Sequence, residues 1–100
     1  MKTVLYIEDN PLNVYLVQAI FAPRADVQLL IAPTAERGLE LVNEARPHLI
    51  LLDLNLPDMP GDLFMRRLRA DPLHASLPVI AISGDSLQEQ RNRLKDVAIA

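Results

Sequence analysis

Four short apolar runs, none interrupted by a charge, alternate along this chain with stretches of helical periodicity, and that alternation constrains the fold most. The runs are Thr3–Ile7, Val27–Ile31, Leu49–Leu52 and Val79–Ile82. They are near-continuous rather than alternating, which suits strands covered on both faces. All eight prolines (Pro11, Pro23, Pro33, Pro47, Pro57, Pro60, Pro72 and Pro78) flank such runs instead of interrupting them. Proline lacks an N–H donor and clashes inside a helix, so these positions read as element edges. The spacing predicts a first helix over Pro11–Phe21, with Asn10 as cap and Leu12, Leu16 and Ile20 facing inward. A second is predicted over Ala35–Ala45, capped by Thr34, with Leu39, Val42 and Ala45 inward. Gly38 lies inside it at a cost of about 1 kcal/mol relative to Ala, for which a close helix–sheet approach gives a reason. A third covers Asp62–Ala70 and stops at Asp71-Pro72. A fourth begins near Ser86, with Leu87, Leu94 and Val97 or Ala98 on one side. Strict alternation of strand and helix implies parallel strands with right-handed crossovers, hence an open, doubly wound α/β sheet.

At 100 residues the chain is one small domain, 1–100, and with half its residues hydrophobic it has enough apolar material for a modest core. That content, with a net charge of only −3, argues against disorder. No apolar run approaches the roughly 18 residues of a membrane span. The N-terminus turns acidic at Glu8-Asp9, unlike a signal peptide. The absence of cysteine excludes a disulfide scaffold, a thiolate metal site and a Cys nucleophile. An acidic balance speaks against a nucleic-acid surface. A cytoplasmic domain without an attached output domain is the expectation.

In such a sheet, ligands bind beyond the carboxyl ends of the strands, where strand order reverses. Polar groups sit at those ends here: Glu8-Asp9 after the first strand, Asp53 after the third, Ser83 after the fourth. If the first and third strands are neighbours, three carboxylates converge, and they repel unless a cation joins them. Mg²⁺ suits such a set, taking carboxylate oxygens and keeping positions for water and phosphate. No glycine-rich phosphate loop supports nucleotide binding. Elsewhere the ordinary structural reading holds. His48 and His74 lack ligand spacing, Arg66-Arg67-Leu68-Arg69 reads as the solvated face of the third helix, and Tyr6 and Phe64 read as core.

Ile7-Glu8-Asp9-Asn10-Pro11, then Leu49 through Asp53 to Leu56-Pro57-Asp58-Met59-Pro60-Gly61, then Pro78-Val79-Ile80-Ala81-Ile82-Ser83 resembles the receiver domain of two-component response regulators. The Asn-Pro-Leu-Asn after the acidic pair is similar to receivers attached to hybrid histidine kinases. The resemblance implies a flavodoxin-like fold with strand order 2-1-3-4, ending before the fifth strand and fifth helix of the family. It implies Asp53 as phosphoacceptor, Glu8, Asp9 and Asp53 as Mg²⁺ ligands with the backbone carbonyl of Asn55, and Ser83 as switch hydroxyl. Pro57 and Gly61 would shape the loop behind Asp53. The partner implied is a histidine kinase or phosphotransfer domain. Three departures stand out. Glu8 replaces the commoner Asp, Gly84 follows Ser83, and the phosphate-contacting Lys of the fifth strand has no counterpart, since Lys95 lies in the predicted fourth helix. An open fourth-strand edge would then invite self-association. Two other functions remain in view. One is a receiver-like interaction module that is not phosphorylated. The other is a Mg²⁺-dependent phosphohydrolase, which would want a second Asp where Asn55 stands.

Overall fold

The computed structural model describes residues 1–82. Four parallel strands, β1 (Lys2–Ile7), β2 (Val27–Ala32), β3 (Leu49–Asp53) and β4 (Val79–Ile82), form one sheet in the order β2-β1-β3-β4. Three helices connect them: α1 (Pro11–Phe21), α2 (Ala35–Ala45) and α3 (Gly61–Ala70), followed by a short 3-10 turn at Pro72–His74. The register runs from Lys2 opposite Val27 to Ile7 opposite Ala32, from Val4 opposite Leu49 to Ile7 opposite Leu52, and from Ile50 opposite Val79 to Asp53 opposite Ile82. The predicted fourth helix and Ser83 lie outside the described residues.

Period-two alternation of side chains divides the core into two layers. Leu5, Ile7, Ile50 and Leu52 pack with Val42 of α2 and Phe64 and Leu68 of α3 on one face. Val4, Tyr6, Leu49, Leu51 and Ile82 pack with Val17 and Phe21 of α1 on the other. The central strands β1 and β3 are covered on both sides, as their composition implies. The outer strands differ from expectation. Gln28 of β2 and Ala81 of β4 are exposed, because these strands lie at the two ends of the sheet among the described residues.

The helix caps follow the sequence closely. Asn10 Oδ1 accepts from the Leu12 N–H at 2.9 Å, and Pro11 occupies the first helical position, where no N–H is needed. Thr34 Oγ1 accepts from the Arg37 N–H at 3.1 Å. The inward face of α1 is a correction. Leu12 and Leu16 are exposed, while Val17 and Phe21 are buried and Val14 and Ile20 pack against them. The helix is apolar nearly all round, so two candidate stripes compete and the sheet takes the one bearing Phe21. On α2 the expected close approach is real. A Cβ placed on Gly38 would stand 2.5 Å from Ile7 Cδ1 and 2.9 Å from Ile7 Cγ1. The arginine run of α3 is also more than a solvated face. Arg67 clasps both Glu36 carboxylate oxygens at 2.9 and 3.3 Å, tying α3 to α2, and Arg69 donates to the His74 carbonyl at 2.8 Å.

Candidate functional site

The order β2-β1-β3 places the reversal of the sheet between β1 and β3, and the acids gather at the carboxyl ends of these two strands. Asp53 is the last residue of β3, paired with Ile82 and buried. Glu8 follows β1 directly. Its N–H continues the ladder to the Ala32 carbonyl at 2.9 Å, so its position is set by the sheet and not by a free loop. Asp9 comes next and is exposed. Glu8, Asp9 and Asp53 each offer a carboxylate oxygen within 4.8 Å of the others. With Asn10, Asn13 and Asn55 they line an open crevice of about 240 Å³. The convergence expected from the strand ends is therefore present.

Neighbours orient each acid. The Asn10 N–H donates to Glu8 Oε1 at 3.0 Å, and the Tyr6 hydroxyl donates to Glu8 Oε2 at 3.2 Å. Tyr6 and Glu8 are two residues apart on extended chain, which puts both side chains on one face. Tyr6 is core, as expected, but its hydroxyl also serves the site, a role hidden by its apolar neighbours. The Asn55 N–H donates to Asp53 Oδ1 at 3.1 Å and fixes that carboxylate from the loop side.

The electrostatics are one-sided. Among the described residues, none of the ion pairs involves Glu8, Asp9 or Asp53. Burial pushes the Glu8 carboxyl above the usual carboxylate range. The Asn10 N–H opposes this shift, while the negative Asp53 beside it adds to it. Burial also raises the Tyr6 hydroxyl, helped by the charge of Glu8, so Tyr6 stays a donor. The set is rich in hard oxygen donors and short of positive charge, and these residues fit a divalent cation such as Mg²⁺.

A family model described as the response regulator receiver domain matches residues 4–100 of this geometry's sequence. The chain belongs to the response regulator receiver domain family. It is 29% identical over 94 residues to the polar-differentiation response regulator DivK of Brucella anthropi, covering 94% of this chain and 76% of DivK. It is 31% identical over 91 residues to the sensor histidine kinase TmoS of Ectopseudomonas mendocina, covering 91% of this chain but only 9% of TmoS. Among solved structures, it is similar to the N-terminal domain of a response regulator receiver protein from Methanoculleus marisnigri JR1. That match has a TM-score of 0.73 and 26% identity, over 89% of this chain and 76% of that one.

Within this receiver, the loop between β3 and α3 is held from below by Leu56 and Met59, both buried in the core. Pro57 is exposed on it. Gly61 opens α3 at a tight contact, since a Cβ there would lie 3.2 Å from Leu54 Cδ2. Asp58, given no role from the sequence, uses both carboxylate oxygens to accept from the first turn of α2. His48 and His74 lie away from the crevice. His48 Nδ1 accepts from the Thr3 N–H at 3.0 Å, and His74 Nε2 meets Asn43 Oδ1 at 3.1 Å. No described helix is long and apolar enough to cross a membrane.

Proposed function

We propose that this receiver accepts a phosphoryl group on Asp53 from the phosphohistidine of a histidine kinase or phosphotransfer domain, with Mg²⁺ bound by Glu8, Asp9, Asp53 and the Asn55 carbonyl. The observation that carries this reading is the meeting of three carboxylate oxygens within 4.8 Å at the reversal of the sheet, with no described cation paired to them. When bound, Mg²⁺ would neutralise phosphoryl oxygens against an otherwise anionic crevice.

The chain's own residues do the rest. An Asp53 carboxylate oxygen attacks phosphorus, a P–O bond forms and the P–N bond to imidazole breaks. The imidazole nitrogen keeps the electron pair. The Asn55 N–H holds Oδ1 of Asp53, which leaves Oδ2 as the attacking oxygen. Tyr6 and the Asn10 N–H keep Glu8 pointed into the crevice. Asn55 occupies the position where a phosphohydrolase would place its acid. That favours a standing acyl phosphate over turnover. Ser83 is the proposed hydroxyl that meets the phosphoryl group and moves with it, and Pro57 and Gly61 are proposed to shape the loop. The exposed Leu12, Tyr15 and Leu16 give α1, the helix that follows the acidic pair, an uncharged apolar face suited to the approach of a partner helix.

Acetyl phosphate with Mg²⁺ should add one phosphoryl group per chain, read by intact mass, and Asp53→Asn should abolish the addition. Undiminished labelling of that variant would refute the assignment. Continuous release of phosphate by the wild type would favour the hydrolase instead.

A further inference from the structure

The loop behind Asp53 is braced at a point outside the acidic crevice. Asp58 Oδ1 accepts from the Ala35 N–H at 2.9 Å and Oδ2 from the Glu36 N–H at 3.0 Å. The first turn of any helix leaves N–H groups without partners. Thr34, the cap residue just before α2, serves one of them, at Arg37. Asp58 serves two more from a different element, and its charge suits the positive end of the helix. The same segment holds the other wall of the crevice, because the carbonyl of Ala32, three residues before Ala35, takes the Glu8 N–H at 2.9 Å. Residues 32–36 thus hold Glu8 on one side and the Asp53 loop on the other. The Arg67–Glu36 clasp closes the ring through α3. Leu54 and Asn55, which directly follow Asp53, are exposed; the Leu54 N–H reaches the Ile82 carbonyl at 3.2 Å and Leu56 and Met59 are buried, and Asp58 adds a tie to α2 between those two buried side chains.

We propose that Asp58 is a positioning residue: by bridging its loop to the first turn of α2, it holds Asp53 and Asn55 in register with Glu8 and Asp9. Its effect on Mg²⁺ rests on the phosphoacceptor reading, whereas its effect on the loop does not. Site geometry has to be kept within about 0.5 Å for productive binding, so slack in this loop reaches the carboxylates.

Thr34 provides the control, because Thr34→Ala weakens the same helix end without touching the loop. Both Thr34→Ala and Asp58→Ala should lower Tm by a similar few degrees. In Asp58→Ala the Asn55 amide, read by NMR, should exchange its hydrogen roughly tenfold faster, while Thr34→Ala should stay within about twofold of wild type. Mg²⁺ alone should bind roughly tenfold more weakly to Asp58→Ala and almost normally to Thr34→Ala, in line with other supporting partners of metal ligands. Asp58→Asn keeps one acceptor and should fall between wild type and Asp58→Ala; it carries the comparison if Asp58→Ala fails to fold. Equal Asn55 exchange in the Asp58 and Thr34 variants would overturn the proposal and leave Asp58 a helix cap only. Failure of the wild type to bind Mg²⁺ would count against the phosphoacceptor reading, and the exchange comparison would still decide the role of Asp58.

Discussion

Glu8 is held in place by two donors, Tyr6 and the Asn10 N–H, yet burial and the neighbouring Asp53 both work against its charge. A carboxylate whose folded-state value is raised favours the folded state at low pH, and that contribution is lost as pH rises through the raised value. At neutral pH without a cation, ionised Glu8 is therefore less favoured in the folded state than in the unfolded one. Glu8→Gln should raise Tm in chelator and should lose most of the stabilisation that Mg²⁺ gives the wild type. Melting curves with and without Mg²⁺ check both effects. A lower Tm in chelator would show that the hydrogen bonds of Glu8 outweigh its repulsion. Gly38 is governed by space. Its missing Cβ leaves room for Ile7, and Gly38→Ala should destabilise the domain by about 1–2 kcal/mol, the overpacking outweighing the helix propensity gained. Shortening the partner with Ile7→Val should recover part of that loss in a double-mutant cycle, measured by urea unfolding.

The elements were legible to different depths. Val/Ile/Leu runs and proline punctuation mark the strands, and Asn10-Pro11 and Thr34 mark helix starts with the mechanism the structure shows. The face of α1 was not legible, because Leu12 and Leu16 are as apolar as Val14 and Val17, and only packing under the sheet chooses between them. Phe21→Ala should cost about 3–5 kcal/mol, whereas Leu12→Ala should stay within about 0.5 kcal/mol of wild type. A large loss from Leu12→Ala would return that residue to the core. The link from Asp58 to α2 spans 23 residues of sequence, and no local pattern announces it. It leaves a pH signature. Burial works to raise the Asp58 carboxyl, but the Ala35 and Glu36 N–H groups outweigh it and hold it below the usual range. Its contribution is complete above the unfolded value of about 3.9 and fades as pH falls through the lower folded value. The stability gap between wild type and Asp58→Ala should therefore narrow only in acid below about pH 4, as acid titration of both proteins would show.

At the scale of the whole molecule, strand order explains why acids far apart in sequence meet. Placing β1 beside β3 aligns Ile7 with Leu52, so the residues that follow each, Glu8 and Asp53, emerge side by side. That convergence was readable from the strand ends on the condition that β1 and β3 are neighbours, which the strand order satisfies. The orienting bonds from Tyr6 and Asn55 were not, since they depend on register. One measurement bears most directly on the central claim that Asp53 accepts the phosphoryl group. An acyl phosphate can be reduced by borohydride, which converts the aspartate that carried it to homoserine. After incubation with acetyl phosphate and Mg²⁺, peptide mapping should find homoserine at position 53 and at no other acid, with none when Mg²⁺ is withheld. Homoserine at Asp9, 2-amino-5-hydroxyvaleric acid at Glu8, or no reduced residue under any condition, would contradict the account.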